Sequence, residues 1–269
     1  MKITANGISI SYSQSGDTAG TPVIFLHGFP FSRKMWDSQL ALFKNLAGFQ
    51  AIAADIRGHG KSSVDSGQYS VEIFVDDLFA LCDKLGFKKV ILCGLSMGGY
   101  IALRAVEREP KRFKGLILCD TKSEADTNEA KVKRSETMKS VREKGVEVFA
   151  RAFVKSIFAE KTFKKNPDAV VKVRKIIEKN SPTAICGTLL ALASRTDTTE
   201  SLKNISIPTL ILVGEEDKLT TPENARSMQK LIKKSELHVL KNAAHMSNLE
   251  NVEEFNKHLV KFLKGNFDH

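Results

Sequence analysis

Cysteine is scarce in this chain: Cys82, Cys93, Cys119 and Cys186 are the four among 269 residues, scattered without metal-ligand spacing. Two of them fall in apolar runs that have the character of buried strands, so all four are expected as reduced core thiols. A chain this long buries a large core and needs neither a disulfide nor a metal to hold it together. No run is long and apolar enough to span a membrane. The opening segment, Met1 to Ile8, lacks the apolar core and small-residue cleavage site of a signal peptide, so a cytoplasmic location is the default expectation. Repeats and low-complexity stretches are missing, and residues 121–204 contain neither Tyr nor Trp.

Apolar residues make up 42% and charged residues 27%, the balance of an ordinary globular protein rather than a disordered one. The formal charge of +10 raises the question of an acidic partner. The lysines, however, are spread along the chain without a zinc pattern, an RNA-binding signature or a basic stripe interleaved with aromatics. A solvated basic surface accounts for them, and neither nucleic acid nor membrane is expected as a partner.

One stretch organises the rest. From Val90 to Leu103 an apolar run breaks at glycine and restarts with helical spacing, giving strand, sharp turn and helix. Ser96 sits at the turn between Gly94 and Gly98, the G-x-S-x-G pattern of a nucleophile elbow, in which a strained serine projects its hydroxyl beyond the sheet edge. Side chains at Gly94 or Gly98 would collide with the crossing strand or helix. The helix start after Ser96 favours negative charge developing on a substrate oxygen, so the Met97 N–H is a candidate oxyanion donor.

Around this stretch the chain reads as alternating strands and helices. Residues 2–13 alternate about Asn6-Gly7 and predict a hairpin. Apolar runs at 22–26, 49–54, 90–95, 113–119, 207–213 and 237–240 predict strands, with helices at 37–46, 71–85, from Pro222 and over the final segment. Glycine-rich loops follow two of the strands, His27-Gly28-Phe29-Pro30 and Asp55 to Ser62. This grammar is that of a mostly parallel sheet flanked by helices. It is interrupted by lysine-rich amphipathic segments near 128–144, 146–158, 167–179 and 182–194. The expected organisation is a core of residues 1–120 and 205–269 with a helical cap inserted at 121–204.

A serine hydroxyl needs a base to take its proton and a third group to orient that base. His245 follows the last strand and precedes the last helix, which places it at the sheet end where Ser96 emerges, and it is the candidate base. His27 and His59 lie in earlier glycine turns, His238 in the last strand, and His258 and His269 on or after the final helix. Asp217, in the loop after the preceding strand, is the candidate orienting acid, with Glu215 and Glu216 beside it. Asp120, at the end of another strand, is the alternative acid. The loop after the third strand points to the Phe29 N–H as second oxyanion donor. Trp36 and the Met97 side chain are candidate pocket walls, with burial in the core as the equal alternative.

The residues His27-Gly28-Phe29-Pro30, Asp55 to Ser62, Gly94-Leu95-Ser96-Met97-Gly98-Gly99, Gly214-Glu215-Glu216-Asp217 and His245 resemble, in this order, the α/β-hydrolase fold superfamily over essentially the full length. Leu118-Cys119-Asp120-Thr121 and Ile207-Pro208-Thr209-Leu210 are similar to 3-oxoadipate enol-lactonases and small carboxylesterases or arylesterases, although Lys122 stands where enol-lactonases often carry arginine. The resemblance implies an eight-stranded sheet with a helical cap and a serine hydrolase acting on a small-molecule ester or lactone, with no cofactor. Serine rather than aspartate at the elbow argues against epoxide-hydrolase and dehalogenase activity. Lactonase, perhydrolase and C–C hydrolase chemistry use the same groups, and a receptor on the same fold is the alternative of another class. Lys131, Lys133, Arg134, Arg142 and Arg151 are candidates to meet a carboxylate if they face inward.

Overall fold

The computed structural model describes residues 1–267, so His269 lies outside the described residues. The chain opens with an antiparallel hairpin of β1 (Lys2–Ala5) and β2 (Ile8–Gly16). Asn6 and Gly7 turn it with φ values of 46° and 74°, the left-handed pair a type I′ turn requires. Alternation follows through β3 (Thr21–Leu26), α1 (Asp37–Phe43), β4 (Phe49–Ala54), α2 (Val71–Lys84), β5 (Val90–Leu95), α3 (Met97–Arg108) and β6 (Phe113–Cys119). Five helices come next: α4 (Asn128–Lys144), α5 (Val146–Ile157), α6 (Thr162–Lys165), α7 (Pro167–Glu178) and α8 (Pro182–Ala193). The sheet then resumes with β7 (Thr209–Gly214), α9 (Pro222–Leu231), β8 (Ser235–Leu240), α10 (Ser247–Glu250) and α11 (Val252–Phe267).

Local chemistry sets the helix boundaries. Ser70 caps α2 by accepting from the Ile73 N–H, and the chain leaves past Gly86 at a φ of 75°. Thr127, Asn166 and Ser181 start α4, α7 and α8 in the same way, each accepting an N–H three residues on, with proline as the first residue of α7 and of α8.

The eight strands form one sheet in the order β1-β2-β4-β3-β5-β6-β7-β8, with β2 antiparallel to β4 and parallel pairing from β4 to β8. Every residue of β4, β5 and β7 is buried, as strands covered on both faces must be. The strand order reverses between β3 and β5, and loops leaving the carboxyl ends of neighbouring strands therefore meet over one crevice. All four cysteines are free and buried. No described helix is long and apolar enough to cross a membrane.

Trp36 belongs to the core and not to a pocket wall. It ends a single 3₁₀ turn, Arg33–Trp36, that feeds α1 and drives the indole inward, where it packs on Phe25 at 5.2 Å and Phe255 at 6.1 Å between ring centroids. His238 and His258 stack on each other at 3.7 Å where β8 meets α11, apart from the crevice.

Candidate active site

Ser96 occupies the turn between β5 and α3 with φ 53° and ψ −115°, a strained conformation for a residue with a side chain. The turn is so tight that a Cβ on Gly94 would lie 2.2 Å from the Gly98 carbonyl oxygen, and one on Gly98 would lie 2.3 Å from that of Leu26. Neither position admits any other residue without moving backbone. The strain is held in place from β6: the Ser96 N–H donates to the Cys119 carbonyl at 2.9 Å, and Thr121 Oγ1 donates to the Ser96 carbonyl at 2.8 Å.

His245 is buried in the loop after β8, and its Nδ1 lies 2.8 Å from Asp217 Oδ2. Asp217 also accepts from the N–H groups of Leu219 at 2.8 Å and Thr220 at 3.1 Å and from Thr220 Oγ1 at 2.7 Å. Burial alone would raise its pKa, but the imidazole and these donors outweigh burial and hold the carboxyl below its ordinary range. An ionised Asp217 accepts, so Nδ1 carries the proton and Nε2 is left as the acceptor; among the described residues Nε2 bonds to no protein group. Burial pulls the imidazole pKa down, yet the charge and hydrogen bond of Asp217 prevail and raise it.

Asp120 does not touch the imidazole. Its Oδ1 accepts the Gly214 N–H at 2.8 Å and its Oδ2 accepts from Ser247 Oγ, so it braces the end of β7 against the His245 loop. Burial and the nearby Asp217 charge push its pKa well up. Glu216 is paired with Lys161, and Glu215 points to solvent.

Phe29 and Met97 both line the cavity that contains Ser96 and His245, and among the described residues neither backbone N–H has a protein acceptor. The Phe29 loop is fixed from two sides. His27 Nε2 accepts the Ile56 N–H at 2.9 Å while Nδ1 bonds the Gly28 carbonyl at 2.8 Å. Asn180, at the end of α7, donates from Nδ2 to the Pro30 carbonyl at 2.6 Å and accepts the Gly60 N–H at 3.3 Å. The loop from Asp55 to Ser62 is thus a brace for the Phe29 loop. Burial drives the pKa of His27 down to about 4 and that of His59 to about 3, which keeps both rings neutral and His27 Nε2 free to accept.

The cavity measures about 340 Å³, within the range of small-molecule sites. Its floor is Ser96, Met97 and Tyr100, and its upper wall is Phe149 and Phe153 of α5 with Leu189 and Leu192 of α8. Phe29, Phe149 and Phe153 form one aromatic group with centroid separations of 5.3 to 6.2 Å. Another part of the wall is polar. Lys122, Asp126, Lys133 and Arg134 line it, with Arg134 and Arg195 both paired to Asp126, while Lys122 and Lys133 have no carboxylate partner among the described residues. Arg142 lines a separate surface hollow, and Lys131 and Arg151 are exposed.

Sequence reasoning missed Thr220, Tyr100 and Asn180. The first had a signal, because an aspartate followed three residues later by threonine is a self-bonded turn. Tyr100 had one too, lying four residues beyond Ser96 on the same helical face. Asn180 had none.

A family model described as the alpha/beta hydrolase fold matches residues 21–252. The chain is 29% identical to 3-oxoadipate enol-lactonase 2 of Acinetobacter baylyi over 266 residues, covering 99% of this chain and 97% of that protein. Among solved structures it resembles a thermophilic esterase from Thermogutta terrifontis with malate bound, at 35% identity and a TM-score of 0.92 over 98% of both chains. The enol-lactonase from Burkholderia xenovorans superposes with a TM-score of 0.91 at 25% identity, over 98% of this chain and all (100%) of that one. With its sheet order, its strained serine turn and a family match over most of its length in agreement, this chain belongs to the α/β hydrolase fold family.

Proposed function

We propose that the chain is a serine hydrolase of carboxylic esters, of the small carboxylesterase or arylesterase kind, working through an acyl-enzyme on Ser96. One observation carries this: a buried imidazole, oriented by an ionised carboxylate, lines the same cavity as a serine held in a strained turn at a helix start. His245 Nε2 takes the Ser96 proton as Oγ attacks the ester carbonyl. The Phe29 and Met97 amides receive the oxyanion, and preorganised donors of this kind supply a large part of the rate enhancement. His245 returns the proton to the departing alcohol, then draws one from the water that attacks the acyl carbonyl and passes it to Ser96 Oγ as the acyl–oxygen bond breaks, releasing the acid. Asp217 stays ionised throughout and keeps the ring in the tautomer the first step needs.

The walls select the substrate. The aromatic group of Phe29, Phe149 and Phe153 suits an apolar or aryl portion. The unpaired Lys122 and Lys133 in the polar part of the wall favour a second reading, hydrolysis of a lactone or ester that carries a negative charge. The names of the enol-lactonase relatives agree with that reading. Parallel assays with p-nitrophenyl acetate, aryl esters, an enol lactone and peracid formation decide between them. A kcat/KM for neutral aryl esters above that for the lactone supports the esterase; the reverse order supports the lactonase.

A further inference from the structure

The loop that carries His245 lies between β8 and α10 and has no strand or helix of its own to hold its N–H groups. One half-buried carboxylate does this instead. Glu250, the last residue of α10, accepts on Oε1 from the N–H of Ala244 at 2.9 Å and of Met246 at 3.3 Å, the two residues flanking His245. Its Oε2 accepts from the Ala159 N–H at 2.8 Å and from Thr162 Oγ1 at 2.5 Å, which belong to the turn between α5 and α6 and to α6 itself. Four donors fill the four acceptor directions of one carboxylate, two on each oxygen. The reach back from the fourth residue of a helix to its N-cap amide follows the logic of a capping box, extended here to a second chain segment.

Asp217 fixes the tilt of the imidazole ring, but it does not fix the backbone from which the ring hangs. We propose that Glu250 is the positioning residue for His245: it clamps the backbone on both sides of the base and ties it to the helices above the cavity. Docking of those helices and alignment of the base are then a single event, because the same carboxylate serves both. The role rests on the reading of His245 as the base. The negative charges of Asp217, Asp120 and, more weakly, Glu250 all favour the imidazolium form. The Ser96 turn is held differently, from the end of β6, by the Cys119 carbonyl and Thr121 Oγ1.

Two substitutions test this, with two readouts. Glu250→Gln keeps the shape but removes the charge and turns one acceptor into a donor facing donors; Thr162→Val removes only the donor from α6. We expect Glu250→Gln to lower kcat on p-nitrophenyl acetate about tenfold or more with KM held within about twofold. In a Ser96→Ala background, NMR titration of the His245 imidazole should show its midpoint moved to lower pH. Thr162→Val should lower kcat roughly two- to threefold with KM unchanged. Glu250→Gln protein that is folded by circular dichroism and retains kcat within about twofold overturns the proposal. So does a fall in kcat with an unmoved imidazole midpoint, since that marks general loosening. Should Glu250→Gln fail to fold, Thr162→Val decides alone: its kcat loss supports the proposal and an unchanged kcat overturns it. The imidazole titration needs no turnover, so it judges Glu250 even if Ser96→Ala remains active and the serine reading fails.

Discussion

The sheet and the helices over it contribute to the cavity in different ways. In β4, β5 and β7 every residue is buried, whereas Val141 is the one buried residue in the 17 of α4. From the sheet come the groups proposed to do the chemistry, Ser96, Asp217 and His245, each on a loop hydrogen-bonded to a neighbouring strand or loop. From α5 and α8 come side chains that occupy space, Phe149, Phe153, Leu189 and Leu192. A few polar links join the two regions: Asn180 to Pro30, Lys172 to Asp37, and Glu250 to Ala159 and Thr162. The reacting geometry therefore depends on parts that tolerate little change, while the walls depend on parts that tolerate much. Changes in the sheet loops should act on kcat, and changes in the helices on KM.

Asp217→Asn gives the sharpest contrast. It leaves shape intact but removes the charge that sets the imidazole tautomer, and kcat should fall about 10³- to 10⁴-fold. The pH profile carries the sign. The base must be neutral, and with its pKa raised the acid limb of kcat/KM should have its midpoint above the ordinary value of about 6.5. In Asp217→Asn the remaining activity should have that limb at lower pH.

The sheet side is also where acid should act on stability. His27 and His59 are neutral when folded, with pKa values of about 4 and about 3, so the unfolded chain binds more protons as pH falls below about 6.5. Each ring should cost roughly 1.4 kcal/mol per pH unit from there down to its folded pKa. His245 runs the other way, because a raised pKa gives stability that is present below the unfolded value and lost as pH rises through the folded one. Urea unfolding between pH 6.5 and 5 should show a shallower loss in His59→Leu than in the parent, by about that amount per unit. Equal slopes would mean that His59 is not held neutral in the folded chain.

The smallest effect belongs to the helices. Phe149→Ala with Phe153→Ala should raise KM for aryl esters about tenfold and leave kcat within about threefold. A large loss of kcat with KM unchanged would erase the distinction between the two regions.

What the sequence revealed follows the range of the interaction. The Ser96 turn was legible because glycine on both sides and a helix restart are demands made within a few residues. The helices over the cavity were legible from their lysine-rich amphipathic spacing, and the structure adds the caps Thr127, Asn166 and Ser181, each bonded three positions on. The choice between Asp217 and Asp120 was not, since both follow parallel strands and only the packed chain shows Asp120 spent on Gly214 and Ser247. Trp36 was ambiguous for a similar reason: an indole suits a wall or a core, and its 3₁₀ turn decides. Asn180 left no local trace, with partners 120 and 150 residues away, whereas Glu250 is half local, with donors 4 and 6 residues back and others 91 and 88 away.

The most direct test of the central claim is mass-spectrometric mapping of the site labelled by a fluorophosphonate probe, paired with p-nitrophenyl acetate turnover. We expect the label on Ser96 alone, and Ser96→Ala protein that takes up no label and loses turnover by a factor on the order of 10⁴ or more. An unlabelled Ser96, together with a Ser96→Ala variant as active as the parent, would contradict it.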